Sequence, residues 1–317
     1  MIMQKRHVIN VDVATIWTSP SSPDPTDATA VTSPTSMDEW LRVLDYNNRI
    51  QLYNDNKTQT QVLYGTVVEV IEEKGDWVFV TVEDQPSLKD KRGYPGWMPK
   101  AQITQMDWPA ESENLPHAYA NIHGVVLYKD KTTAGLKLCF LTSLPVINED
   151  AEWAELYTPQ GSQWVKTADV TIRKKTDKPD VSGEKIVETG KTFLGLPYLW
   201  AGNSSYGYDC SGFAYSMHKA FGIVIPRDAS NQAKYGENVP LDQLQPGDLL
   251  FFAFEKGKGS LHHVAISLGG TLMIHAPKTG RSIEILDLEN EEVYREELCG
   301  ARRYWRITEA IDFHAVK

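Results

Sequence analysis

Along the first half of the chain, apolar and polar residues alternate with the two-residue period of half-buried strands. Residues 7–17, His-Val-Ile-Asn-Val-Asp-Val-Ala-Thr-Ile-Trp, predict one strand. Residues 61–71 and Trp77–Val82 predict two more around a polar Glu72–Asp76 turn, and Gly93–Pro99 predicts another. Between them, residues 18–37 are rich in Ser, Thr, Pro and Asp, which predicts a long surface loop, and Met37–Leu44 predicts a short helix. Short strands with Gly-containing turns predict a small barrel. The pattern then returns in residues 125–128, 137–142, 145–147, 153–157 and 160–165, which predicts a second barrel. Lys174–Gly183 is polar, charged and bears Pro and Gly, the composition of a linker.

After the linker the period changes. Ile186, Val187, Gly190, Phe193 and Leu194 share one face of a predicted helix that ends before Gly195 and Pro197. A loop over 196–205 leads to a second helix, on which Phe213, Met217, Ala220 and Phe221 share a face and Asp209 is a good N-cap. Asp248–Phe252, His263–Gly269, Leu272–Ala276, Ile283–Ile285 and residues 301–306 predict strands, with Lys256–Ser260 as a hairpin turn. Helices packed on an antiparallel sheet make this an α+β domain. The expected organisation is 1–104, 105–173, a linker over 174–183, and 184–317.

Cys210 falls in the first turn of the second predicted helix, where free N–H groups and the positive dipole end favour a thiolate. On these residues alone, a small apolar side chain packing the helix start is an equal alternative. His263 heads an alternating strand, and the two-residue period turns His262 to the opposite face. A Cys at a helix start, a His on a strand and a polar group on the next strand form a Cys–His–orienter pattern. His275 stands at the third position, although as a lone residue it reads equally as a core histidine.

Five segments, in order, resemble the NlpC-type family of bacterial cell-wall peptidases, whose core is papain-like. They are Tyr198-Leu199-Trp200-Ala201-Gly202, Asp209-Cys210-Ser211-Gly212, Gln245-Pro246-Gly247-Asp248-Leu249, His263-Val264-Ala265-Ile266 and His275, within residues 184–306. The order strand, Lys-Gly-Asp-Trp turn, strand, Gly-Trp-x-Pro resembles the bacterial SH3-like domain. The resemblance implies two all-β SH3-like barrels followed by an α+β papain-like catalytic domain. It implies Cys210 as nucleophile, His263 as base and His275 as orienter. Tyr198 would help hold the oxyanion, with Trp200, Asp209 and Ser211 at the substrate pocket. It further implies cleavage between γ-D-Glu and L-Lys or diaminopimelate in murein stem peptides, by a subgroup that requires a free N-terminal L-Ala and serves murein-peptide recycling. Tyr94 and Asp228 match residues with which that subgroup holds the amine. Where it carries a further acid, this chain has Gln59, which cannot neutralise an amine; Asp55 is close in sequence. The rival reading is a secreted hydrolase whose SH3-like domains bind intact cell wall. A non-catalytic binding module is disfavoured by the intact Cys210, His263 and His275 set.

Composition narrows this further. The net charge of −10 and the absence of a basic run interleaved with aromatics argue against nucleic acid or an anionic membrane surface as partner. Three widely spaced cysteines form no disulfide framework and no Cys-x-x-Cys metal motif. Cys139 and Cys299 are expected to be buried packing residues. His7, His117, His123, His218 and His314 have no metal-ligand spacing, and the thiol chemistry needs no metal or cofactor. A monomer is expected. The N-terminus lacks the apolar core of a signal peptide, so a cytoplasmic location is expected, or an extracellular one if a leader is missing from this sequence.

Overall fold

The computed structural model describes residues 3–110, 112–174, 177, 180–307, 311 and 313. His314 and part of the expected linker lie outside them. The chain forms two compact units: residues 1–83, 95–177 and 204–206 make one, and residues 84–94, 178–203 and 207–317 make the other.

The first unit holds two copies of one topology. Strands β1 (Met3–Ile9), β2 (Val13–Trp17), β3 (Thr58–Leu63), β4 (Val67–Lys74), β5 (Trp77–Val82), β6 (Tyr94–Pro99) and β7 (Ile103–Pro109) hydrogen-bond in the order β3-β2-β6-β5-β4-β1-β7. Strands β8 (Pro116–Ala120), β9 (Val125–Tyr128), β10 (Ala134–Leu138), β11 (Ser143–Glu149), β12 (Trp153–Thr158), β13 (Gly161–Lys166) and β14 (Val170–Lys174) repeat it as β10-β9-β13-β12-β11-β8-β14. These are the two SH3-like domains. The second is built around Ala118, Leu127, Leu138, Leu144, Leu156 and Val165, the inward positions of alternating strands.

Four expectations here need correction. The run 7–17 is two strands, broken at Asn10–Asp12. The run 61–71 is also two, because Gly65 turns the chain at φ +78. A Cβ there would also lie 2.3 Å from Leu144 Cδ2, so no other residue fits. Residues 137–142 are strand only as far as Leu138. Finally, 18–37 is no open loop. Asp24 accepts from Thr26 N at 2.8 Å in a capping box with Asp27, which starts a short turn and then α1 (Ala28–Val31). Asp27 is fully buried and accepts from Trp40 Nε1 at 2.9 Å, so a polar tract is folded in through satisfied hydrogen bonds. Helices α2 (Met37–Val43) and α3 (Tyr46–Asn54) follow; the second was not foreseen.

The second unit starts with α4 (Gly183–Lys191), which buries Ile186, Val187 and Gly190. It stops at Lys191, leaving Leu194 exposed rather than on the buried face. A two-stranded ribbon, β15 (Asn203–Ser204) and β16 (Gly207–Tyr208), precedes α5 (Cys210–Lys219) and the single turn α6 (Ala229–Gln232). The sheet comprises β17 (Glu237–Asn238), β18 (Leu249–Ala253), β19 (Leu261–Gly269), β20 (Leu272–His275), β21 (Glu284–Asp287) and β22 (Leu298–Arg303). Its order is β17-β22-β18-β19-β20-β21, antiparallel throughout. The turn α7 (Phe254–Gly257) joins β18 to β19, and α8 (Glu292–Glu297) precedes β22. Every residue of β18 is buried, because the sheet is covered on both faces. Leu250, Phe252, Ala265 and Met273 pack in a cluster that Tyr294 of α8 adjoins, while α4 and α5 pack on β19 and β20. Asp248 is fully buried and held by Arg303 through two 2.7 Å bonds, a structural part.

Candidate active site

Helix α5 begins at Cys210 because Asp209 caps it, accepting from Gly212 N at 2.6 Å. Cys210 is nearly buried, and its thiol meets the backbone N–H of Val264, next to His263 on β19. His263 and His275 are buried, and His263 Nε2 lies 2.8 Å from His275 Nδ1. Tyr294 of α8 packs against both imidazoles, with ring centroids 5.7 and 5.3 Å away. Cys210, His263 and His275 thus converge from one helix and two adjacent strands.

Burial governs the charges of this set. It pushes the Cys210 thiol up to about 12, with the Asp209 carboxylate adding to the rise. Burial likewise holds His263 well below its usual 6.5, helped by His275 and His262, and takes His275 down to about 3, helped by Arg281. The helix start that favours a thiolate is present, but desolvation opposes it and favours the neutral thiol and the neutral imidazole.

A second cluster begins one residue earlier. Arg227, 1% exposed, clamps Asp209 through Nη1–Oδ1 at 3.0 Å and Nη2–Oδ2 at 2.8 Å, and its Nη1 also donates to Ser211 Oγ at 2.9 Å. Asp228, the next residue, accepts from the Tyr94 hydroxyl at 2.9 Å. Lys89 Nζ donates to that hydroxyl, lies 4.3 Å from the centre of the Tyr94 ring and 3.6 Å from Asp228 Oδ2. Residues 84–94 join this unit through Arg227 N to Pro86 O (3.0 Å), Leu88 N to Asn231 Oδ1 (3.0 Å) and a Lys219–Asp84 ion pair.

Of the other expected residues, Tyr198 is buried beside Tyr208, bridging it in parallel, and Trp200 is half-buried in the same loop. Gln59 belongs to the other unit, where its amide donates to Thr18 Oγ1 at 2.6 Å. His262 does not alternate cleanly. A bulge opposite Phe252 and Ala253 leaves its ring centroid 6.4 Å from that of His263, while its Nε2 meets Glu297 Oε2 at 3.0 Å. Cys139 is fully buried as expected; Cys299, expected to be buried, is exposed near the start of β22, where its thiol donates to Phe251 O at 3.3 Å. Among the described residues no three His, Cys, Asp or Glu side chains gather in a metal-binding group.

The sequence matches known family models. Residues 195–303 match the NlpC/P60 family, residues 124–172 the YKFC SH3b2 domain and residues 54–103 the bacterial dipeptidyl-peptidase Sh3 domain. The chain is 45% identical to the gamma-D-glutamyl-L-lysine dipeptidyl-peptidase of Bacillus subtilis (strain 168), over 94% of this chain and 98% of that one. The chain belongs to the NlpC/P60 family of cysteine peptidases. It is also 41% identical to the gamma-D-glutamyl-L-lysine dipeptidyl-peptidase of Bacillus cereus (strain ATCC 10987), over 93% of this chain and 90% of that one. The crystal structure of an NlpC/P60 family protein from Bacillus cereus ATCC 10987 superposes with a TM-score of 0.89 at 40% identity, covering 95% of this chain and all of that one.

Sequence reasoning missed three residues at this NlpC/P60 site. Arg227 opens a short polar stretch, Arg227–Gln232, that carries no local signature of burial. Lys89 and Tyr294 lie in segments distant from Cys210 in sequence, and no periodicity links them to it.

Proposed function

We propose that this enzyme hydrolyses the bond between γ-D-Glu and the diamino acid, L-Lys or meso-diaminopimelate, of murein stem peptides whose L-Ala amine is free. It would release L-Ala-γ-D-Glu and serve recycling of murein peptides, as a monomer in the cytoplasm. Residues 184–317 would carry the chemistry, behind SH3-like domains over 1–104 and 105–173. The observation that supports this reading most is the Tyr94–Asp228 hydrogen bond, in the same compact unit as Cys210. The Lys89 ammonium rests against both groups, which supports the reading that the pair can hold a primary ammonium. A free L-Ala amine is the same chemical group.

In this reading, His263 takes the Cys210 proton as the thiol attacks the γ-amide carbonyl, since burial disfavours both charged forms in the free enzyme. The tetrahedral oxyanion would receive hydrogen bonds from the Cys210 N–H at the start of α5 and from Tyr198. His263 then protonates the departing diamino acid, and water cleaves the thioester. Asp209, pinned by Arg227, and Ser211 would shape the pocket floor.

The test compares L-Ala-γ-D-Glu-L-Lys with its N-acetyl form at low substrate concentration. A charged contact of this kind is worth about 1.5–3 kcal/mol, so the acetyl form and Asp228→Asn should each lose at least about tenfold in kcat/KM. Equal rates for both substrates would overturn the amine requirement and favour an open-cleft endopeptidase, with Gln59 as the first residue to examine.

A further inference from the structure

The hydrogen bond between the two imidazoles can be made in two ways, and only one supports catalysis. If His275 Nδ1 carries the proton, it donates to His263 Nε2. The proton of neutral His263 then sits on Nδ1, the ring atom left for the thiol, and His263 cannot act as base. If His263 Nε2 carries the proton, it donates to His275 Nδ1, and His263 Nδ1 is free to accept from Cys210. The second arrangement requires His275 to carry its own proton on Nε2. That nitrogen is fully buried and has no well-aligned hydrogen-bond partner among the described residues. A buried N–H of this kind is costly unless an acceptor faces it.

An acceptor does face it. Glu284 of β21 is the direct cross-strand partner of His275 on β20, so sheet register sets the two side by side. Glu284 Oε1 lies 3.4 Å from His275 Nε2. The carboxylate cannot swing freely, because Arg281 Nη2 holds both its oxygens, at 2.6 Å to Oε1 and 2.7 Å to Oε2. Tyr294, edge-on to the His275 ring at 78°, limits the ring's own rotation. We propose that Glu284 is a positioning residue for the base: it holds His275 in the Nε2–H tautomer, which in turn leaves His263 Nδ1 open to the thiol. Arg281 serves as its anchor. When His263 accepts the thiol proton, the positive charge on the imidazole pair draws the His275–Glu284 contact tighter, as catalytic hydrogen bonds that are long in the free enzyme do. The proposal rests on His263 being the base.

The experiment uses the full chain, L-Ala-γ-D-Glu-L-Lys as substrate, and the variants Glu284→Ala, Glu284→Gln and His263→Ala. Glu284→Ala should lower kcat about tenfold with KM nearly unchanged, the size of effect typical of partners that orient a functional imidazole. Glu284→Gln keeps an acceptor oxygen and should recover most of that kcat. Both variants should move the acidic limb of the kcat/KM profile to lower pH, since a carboxylate that stabilises the imidazolium is gone. The other ionisable groups around the pair are Cys210 from α5, His262 from β19, Arg281 before β21 and Tyr294 from α8, and all are unchanged in the variants. Nitrogen-15 spectra of labelled histidine should show Nε2–H on both His263 and His275 in the parent and a mixture in Glu284→Ala. A wild-type kcat in Glu284→Ala would overturn the proposal. So would equal losses in Ala and Gln variants with an unmoved pH profile and unchanged tautomers, which is the signature of packing alone. An active His263→Ala would remove the base assignment itself; an inactive one beside a fully active Glu284→Ala would remove only the role of Glu284.

Discussion

Residues 209 and 210 are neighbours in the chain, yet they open two clusters that handle burial in opposite ways. Cys210 leads into a chain of neutral groups, where the His263 and His275 pKa values are driven down and the thiol is driven up. Asp209 leads into a chain of charges, Asp209–Arg227 and then Asp228–Tyr94–Lys89, where a buried guanidinium keeps its charge because a carboxylate is clamped to it. The first solution leaves protons mobile and suits transfer. The second fixes charge in place and suits shaping a pocket and holding an ion. The two rely on different physics, desolvation in one and ion pairing in the other, so they should fail differently.

The largest separation is expected from Cys210→Ala. Turnover should fall by at least about 10⁴-fold, while the urea midpoint stays near that of the parent, since the variant removes the proposed nucleophile and the side chain is small. A large loss of stability in this variant would show that the neutral cluster is also structural. Arg227→Met should do the reverse. It strands the buried Asp209 carboxylate and should cost about 3–5 kcal/mol in urea unfolding. Adding Asp209→Asn, which keeps a capping side chain but removes the charge, should return part of that loss. If the double variant is as unstable as Arg227→Met alone, packing rather than charge holds this cluster.

Acid titration offers a smaller but selective probe. His275 and the equally buried His218 are held at about 3 and about 4, and His263 well below 6.5, so each binds its proton more weakly in the folded protein than in the unfolded chain. Their contribution is therefore fully present above pH 6.5 and is lost as pH falls below it toward the folded-state values. Each histidine contributes a slope of up to about 1.4 kcal/mol per pH unit in that window. Urea midpoints that do not fall between pH 6.5 and 4 would contradict neutral burial. The smallest effect belongs to Cys299→Ser. The residue is exposed, so kcat should be unchanged and stability should shift by less than about 0.5 kcal/mol.

The legible parts of this protein were those set by neighbours in sequence. Asp209 capping α5 is a contact across three residues, and it can be read from an Asp before an amphipathic run. His263 on a strand follows from local alternation, and the repeat of the SH3-like pattern follows from spacing of turns. The misread parts were also local in appearance. The 18–37 tract looked too polar to bury, but Asp27 is satisfied by Trp40, and no rule of composition shows which partner a polar residue will find. Arg227 reaches Asp209 across 18 residues, and Tyr94 reaches Asp228 across 134. The sequence by itself determined which residues start the helix, which alternate on strands and which carry reactive groups, because propensity, capping and periodicity act over a few residues. Only the tertiary structure decided that residues 84–94 lie with the catalytic unit, that Cys299 faces out and that Glu284 stands opposite His275. Burial and pairing are properties of the assembled sheet, and so are the pKa values that follow from them.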